Sequence, residues 1–267
     1  MKNTMILSFA LLTGFIVIPQ ISEAQQTNAV QQTFYGRPLR LNNLSNLESL
    51  EANDLAASQK TEVLLSWLAA ERGNPSPAIT GHGGGQIDTD YIQAQITKTL
   101  ETQGDPLAMS WVASSSLLKD PDIRDNMQIV LGFMGDAGQV TALEHILLNN
   151  KNPYLRAMAA EDLGLLGSTS SLPVLKAVRK DNFGLTFASE QNGGKMTTFY
   201  PVRQVVEETI RILSTPSLLA QQKMRGQLFA GRLASARKYA ATHMLSQSHF
   251  VRIANRSTTR VKRLPGA

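Results

Sequence analysis

The feature of this sequence that most limits its possible folds is an internal repeat with a period of 32 residues. When residues 120–150 are paired with residues 152–182, seven of 31 positions are identical. The identical pairs are Pro121/Pro153, Arg124/Arg156, Leu131/Leu163, Gly132/Gly164, Gly135/Gly167, Leu143/Leu175 and Asn150/Asn182. Repeats of this length are typical of helical units that cannot bury their apolar faces singly and therefore stack into one continuous core.

Each copy carries signals for the beginning and the end of a helix. Asn152 can cap a helix, and Pro153 suits its first turn because the N–H that proline lacks would have no partner there. Gly167 can end the same helix with a positive φ. The first copy has Asp120, Pro121 and Gly135 at the matching positions. The pattern therefore predicts two helices that begin and end alike.

The repeat extends in both directions. Arg203 follows Arg156 by 47 residues, which indicates a third copy with an insertion, and a weaker copy precedes at residues 88–105. Apolar spacing predicts further helices over 61–72 and 107–118. Ser45 and Glu48 form a capping-box pattern that opens the first of the predicted helices.

The segment 151–167, KNPYLRAMAAEDLGLLG, resembles the HEAT-like repeats of many bacterial proteins, including the phycobilisome-lyase type. The resemblance covers residues 88–213 well and 45–73 loosely. It implies an all-α fold, an α-solenoid of about four stacked helix pairs over residues 43–213, with a concave binding surface. It also implies that the family arginines mainly bridge neighbouring repeats through carboxylates. The family arginines are Arg124, Arg156 and Arg203. We expect them to have a structural role, as do the repeat prolines and glycines Pro121, Pro153, Gly135 and Gly167.

The N-terminus has the pattern of a secretory signal peptide. Lys2 precedes an apolar run over 5–18, and the small residues Ser22 and Ala24 flank a cleavage position. The run is shorter than the roughly 20 residues that span a bilayer as a helix. We therefore expect a signal peptide over 1–24, a flexible arm over 25–42 and an exported protein, periplasmic or secreted. The alternative is a membrane-anchored structural protein that keeps this segment.

The charges are distributed unevenly. The chain has no acidic residue after Glu208 but has eleven Lys and Arg there, whereas the preceding part has a net charge of −6. We expect a long basic helix over 214–248 that caps the open end of the solenoid, followed by a loose basic tail over 249–267. In this prediction one side of the helix docks through Met224, Leu228, Leu233, Ala236, Ala240 and Met244. Its outward basic residues are then Lys223, Arg225, Arg232, Arg237 and Lys238.

These basic residues have two interpretations. They are either a solvated surface that balances the acidic body, or a surface that attracts an acidic protein, anionic lipid or lipopolysaccharide. Nucleic acid fits least, because few aromatic residues are available for stacking on bases. The candidate partner-binding residues at this end are Arg232, Arg237, Lys238, Arg256, Arg260, Lys262 and Arg263.

Two insertions interrupt the helical pattern. Residues 74–87 are predicted to be a loop because of their proline and glycine content. Residues 181–199 alternate β-branched and aromatic residues around a glycine turn, which predicts a β-hairpin. Phe183, Phe187, Phe199 and Tyr200 would be displayed from it. Phe187 and Phe199 are candidate partner contacts; the alternative is that these rings pack over the adjacent helices.

The sequence contains no recognisable catalytic constellation. The run GHGGG at 81–85 resembles the oxyanion loop of esterases, but no G-x-S-x-G nucleophile motif accompanies it. Cysteine is absent, histidines number four and HExxH does not occur, so we expect no metal and no cofactor. The acidic pairs 161–162 and 207–208 are expected on solvated helix surfaces.

We therefore expect a non-enzymatic scaffold whose partner is another protein, with an anionic envelope component as a further possibility at the basic end. Stable membrane insertion is not expected once the signal peptide is removed. The rival is an enzyme, or an enzyme subunit, with an unrecognised site on the concave face. A cluster of carboxylates and histidines with shifted pKa values would favour that rival.

Overall fold

A computed structural model describes residues 45–52, 54–55, 57–70, 79–80, 86–87, 89–105, 123–189 and 195–242. The expected signal peptide, the arm over 25–42, the helix over 107–118 and the basic tail over 249–267 lie outside these residues. Within the described ranges, no helix combines the length and the apolar composition that crossing a membrane requires.

The described chain is mostly helical, as the sequence predicts. The helices are α1 Ser45–Ala52, α2 Ala57–Ala70, α3 Thr89–Gln103, α4 Arg124–Phe133, α5 Val140–Asn149, α6 Pro153–Leu165, α7 Leu172–Ala177, α8 Pro201–Ser214 and α9 Pro216–Thr242. Single 3₁₀ turns at Ala137–Gln139 and Thr169–Ser171 precede α5 and α7.

Two antiparallel strand pairs interrupt the helices. The predicted hairpin is confirmed: β3 Leu185–Ser189 pairs with β4 Lys195–Phe199, with Leu185 opposite Phe199. A second, shorter pair joins β1 Ile79–Thr80 to β2 Gln86–Ile87. This second pair lies inside the segment that the sequence predicts to be only a loop. Its strands are two residues long, too short for an alternating pattern to indicate them.

The two copies of the repeat end their helices in the same way. Gly135 after α4 has φ 87° and Gly167 after α6 has φ 65°, as predicted from their position. In each turn the glycine N–H donates to a carbonyl three residues back, and the next N–H donates to one five residues back. This is the Schellman arrangement, in which the left-handed conformation favours glycine over residues that have a Cβ.

The predicted beginnings of the two helices agree less well with the structure. Asn152 caps α6 as predicted, because its side-chain oxygen accepts from the N–H of Tyr154 at 2.9 Å, and Pro153 occupies the first turn. In the first copy, α4 begins only at Arg124, and the residue before it, Ile123, makes no side-chain cap. The matching proline, Pro121, lies outside the described residues.

Helix α6 lies at the centre of the fold. It packs against α3, α4, α5, α8 and α9, so almost every one of its sides is buried. Its small residues allow close approach: Thr209 of α8 donates to the carbonyl of Ala160 at 3.1 Å, and a Cβ on Gly164 would lie 3.1 Å from the Thr209 methyl. Ala160 and Gly164 of this helix therefore set how near α8 can lie.

The buried apolar side chains form two neighbouring clusters. The first contains residues of α1, α2, α3 and α4. The second contains residues of α4 to α8. Helix α3 belongs to both, because Ile92, Ile96 and Leu100 face the first cluster and Ala94 faces the second.

Helix α9 packs against α8, the helix of the last predicted copy, and against α6. It runs back across the C-terminal turns of α6 and α4, and Leu233 reaches the first apolar cluster. A Cβ on Gly226 would lie 2.8 Å from the carbonyl oxygen of Leu165, and one on Gly135 would lie 2.5 Å from the N atom of Ala230. Such distances mean that α9 rests on these turns with its backbone.

Two glycines of α9 make a matched test of this docking. Gly226→Ala places a methyl group against the Leu165 carbonyl, so we expect a loss of stability of about 1–3 kcal/mol from the forced shift of the helix. Gly231→Ala meets nothing within 4 Å, so we expect a gain of about 0.5–1 kcal/mol from helix propensity. Urea unfolding of both variants measures the difference. Equal effects would contradict the close docking.

Candidate interaction surface

The side of α9 that faces the protein is lined by small residues. Gly226 and Leu233 are buried and Ala230 is partly buried, whereas Met224 is 61% and Leu228 is 67% exposed. The prediction that Met224 and Leu228 dock the helix is therefore wrong. The physical reason is that backbone-to-backbone contact over the glycine turns requires small side chains, so the larger ones are placed on the outside.

Arg237 and Phe229 fix α9 at the turn after α4. The Arg237 guanidinium donates to the Asp136 carboxylate at 2.7 Å. Partial burial tends to raise the pKa of Asp136, but the hydrogen bond and the charge of Arg237 outweigh it and lower that pKa. The Phe229 ring stacks on Phe133 with 5.5 Å between centroids. The Arg237 side chain is exposed, as predicted, so this ion pair lies at the protein surface.

The outer side of α9 is apolar and basic. Besides Met224 and Leu228 it exposes Tyr239, which is 49% exposed. Arg225 and Arg232 lie beside Phe229, with 5.7 Å and 5.9 Å from their guanidinium carbons to the ring centroid. The helix contains no acidic residue. Lys238 is exposed as predicted. We call the surface formed by Met224, Arg225, Leu228, Gly231, Arg232, Ser235 and Tyr239 the outer face of α9.

The hairpin exposes fewer aromatic rings than predicted. Phe199 is 37% exposed and Met196 is 67% exposed. The Phe183 ring instead packs edge-on against Tyr154 at 5.4 Å, and the Tyr200 ring lies 3.9 Å below the Arg203 guanidinium. The backbone of Phe187 lies opposite Thr197, but its side chain is outside the described part of the structure.

The repeat arginines bond mainly to the turns between helices. Arg156 makes two hydrogen bonds to the Asp181 carboxylate, at 2.9 and 3.0 Å, and one to the carbonyl of Asn150. Arg203 donates instead to the backbone carbonyl of Asp181. Among the described residues, Arg124 pairs with the carboxylate of its own neighbour, Asp125, at 3.3 Å. Arg156 and Asp181 belong to the same copy, 152–182, and Arg156 and Arg203 donate to backbone carbonyls of the preceding copy. None of these ion pairs is the predicted carboxylate bridge between repeats.

A group of four ionisable side chains, of which Glu101 and Asp162 are buried, joins α3 to α6. Lys98 and Glu101 come from α3, and Glu161 and Asp162 come from α6. The Lys98 ammonium lies 2.9 Å from Glu101 and 3.3 Å from Glu161. Among the described residues, one Oδ of Asp162 is buried without a hydrogen-bond partner. The single cation of this group, Lys98, therefore lies near three carboxyl groups, those of Glu101, Glu161 and Asp162.

This imbalance shifts the pKa values of the buried carboxyls. Burial raises the pKa of Glu101 to about 8, although Lys98 acts against the shift. Burial also raises the pKa of Asp162 well above its usual range, and the nearby charges of Glu101 and Glu161 add to the shift. Lys98 has a raised pKa, because its carboxylate neighbours outweigh its own burial.

Sequence reasoning missed this cluster. It placed Glu161 and Asp162 on a solvated surface, but Asp162 is 1% exposed. The other acidic pair does lie on the surface, where Glu207 bonds Arg179 and Glu208 bonds Arg211. The one available signal was composition: of the 13 residues of α6 only Arg156, Glu161 and Asp162 are charged, so most of the helix has to be buried.

The remaining site predictions lie outside the described residues. They concern Arg256, Arg260, Lys262, Arg263 and the glycine run at 81–85. No protein-family model matches the chain, and neither a curated protein nor a solved structure matches it.

The raised pKa of Glu101 makes a prediction about stability and pH. The folded protein holds this proton up to about pH 8, whereas the unfolded chain releases it near 4.5. Stability should therefore fall as the pH rises from about 4.5 to 8. Glu101→Gln imitates the protonated acid. We expect it to match the wild type at pH 4.5 and to be about 4 kcal/mol more stable at pH 8, since the wild type must take up a proton to fold there and each unit of pKa shift corresponds to about 1.4 kcal/mol.

Urea unfolding across this pH range measures the effect, and Glu208→Gln supplies an exposed control. The exposed exchange should leave the pH profile nearly unchanged, because surface ion pairs contribute little. A Glu101→Gln profile parallel to that of the wild type would contradict a neutral, buried Glu101.

Proposed function

We propose that this protein is an exported, non-enzymatic scaffold with a HEAT-like α-solenoid, and that it binds a macromolecular partner through the outer face of α9. The repeat supports the solenoid, because both copies end their helices with the same glycine turn and follow it with a 3₁₀ turn. The signal-peptide pattern at 1–24 supports export. A repeat fold supplies surface rather than chemistry, so binding is the function that fits it.

The observation on which the proposal rests is the exposure of large apolar side chains on a helix that is held firmly. Met224 and Leu228 lie one turn apart and are more than half exposed. Glycine contacts, the Phe133 stack and the Arg237 ion pair fix the same helix from its other side. A rigid surface loses little conformational entropy when a partner binds, so each apolar contact contributes more fully.

The β3–β4 hairpin is a second contact in this proposal. Met196 and Phe199 are exposed on β4. They are on opposite faces of the strand, because successive side chains point to alternate faces and these two residues are three positions apart. In that arrangement one of them can contact a partner while the other remains in water. Phe187 remains a proposed partner residue, and its position in strand β3 is the observation that supports it.

An enzyme is the second candidate, and the buried carboxyl cluster is the observation that favours it. Catalytic acids and bases often have shifted pKa values, as Glu101 and Asp162 do. They must also contact substrate. Glu101 is 5% and Asp162 is 1% exposed, so α3 would have to separate from α6. Hydrogen exchange in α3 as slow as in α6 would contradict this candidate.

The scaffold proposal is tested by affinity capture from envelope extracts. The double variant Met224→Ser, Leu228→Ser should lose most of the captured partner, because truncating a central interface residue commonly costs about 2 kcal/mol or more. Its melting temperature should stay within about 2 °C of the wild type, since both side chains are exposed.

Leu148→Ser is the matched control. Leu148 is 49% exposed on α5, and its exchange removes a similar apolar side chain from another part of the surface. Capture that falls equally in both proteins, or in neither, would show that the outer face of α9 is not the binding surface.

A further inference from the structure

We propose, resting on the function given above, that the outer face of α9 binds an acidic amphipathic helix of a partner protein, and that Gly231 receives an apolar side chain of that helix. The proposal combines the shape of this face with its charge.

The shape is that of a gap between larger residues. A Cβ added to Gly231 would meet no atom of the described residues within 4 Å, so the space above it is open to them. Leu228, Gly231, Arg232 and Ser235 occupy positions i, i+3, i+4 and i+7 of α9. Four residues at this spacing form the hole that receives one side chain of a second helix in knobs-into-holes packing. Because two of the four are glycine and serine, the hole is deep.

The charge of this face selects an acidic partner. Arg225 and Arg232 are exposed two turns apart on α9, and their guanidinium carbons lie 5.7 Å and 5.9 Å from the centre of the Phe229 ring. Neither has an ion pair with any described residue, and α9 itself contains no Asp or Glu. Carboxylates along one edge of a docked helix would supply the missing counter-charges, and arginine can bind each of them with two parallel hydrogen bonds.

Two other occupants fit less well. A second copy of this chain that docked through the same face would bring arginines and no carboxylates, because α9 contains no Asp or Glu. An anionic lipid surface would suit the charge, but helices that lie in membranes have a continuous apolar face. Between Leu228 and Tyr239 the outer face has only glycine, serine and arginine residues. Met224, Tyr239 and the arginines are instead residue types that are enriched in protein interfaces.

The test uses the full chain and two labelled helical peptides. The first has leucines on one face bordered by glutamates, and the second has lysine in place of every glutamate. Fluorescence anisotropy should show binding of the glutamate peptide and at least about tenfold weaker binding of the lysine peptide. Gly231→Leu fills the hole without a clash, so it should weaken binding at least about tenfold while the helix stays folded.

The charge requirement is tested by Arg225→Glu, Arg232→Glu, which should favour the lysine peptide. Gly231→Ala serves as the control for helix propensity.

Equal binding of both peptides, or unchanged binding by Gly231→Leu, would overturn the proposal. Retention on phosphatidylglycerol vesicles, lost in the double arginine variant while neither peptide binds, would overturn it in favour of lipid. Continued capture of an envelope partner with no peptide binding would leave the scaffold function standing and refute the acidic helix.

Discussion

The contact on which the rest of this structure depends is the one between the backbone of α9 and the glycine turns that end α4 and α6. Both turns have positive φ, and both lie directly beneath α9, where Gly226 and Ala230 allow the approach. Along this helix, Leu219 packs against the second apolar cluster and Leu233 belongs to the first, which contains residues of α1 to α4. The helix therefore joins the two apolar clusters from outside as α3 joins them from within.

The sequence predicted those features that local signals encode. The glycine turns, the Asn152 cap, the hairpin and most helix positions follow from residue types at fixed spacings. The side on which α9 docks could not be predicted in this way, because a helical wheel assigns the inner side to large apolar residues. Here Gly226 and Ala230 are inside and Met224 and Leu228 are outside. Only the position of the turns beneath the helix decides between these orientations.

The buried carboxyls could not be predicted for a related reason. Glu101 and Asp162 each follow or precede polar residues, and nothing local distinguishes them from surface residues. Their burial results from α6 being surrounded by five other helices. The cluster is also connected to α9, because Lys98 lies 5.2 Å from the centre of the Phe133 ring, which stacks on Phe229. A change in its charge would therefore act near the helix that forms the candidate surface.

The two sides of α9 have separate roles, and this separation supports a binding function. The inner side makes the glycine contacts and the Arg237 ion pair, so folding does not require Met224 or Leu228. Glutamine or lysine at these positions would have similar helix propensity and would be more soluble. A single exposed apolar residue needs no explanation. Two of them one turn apart, beside unpaired arginines on a fixed helix, form a small surface with the composition of an interface core.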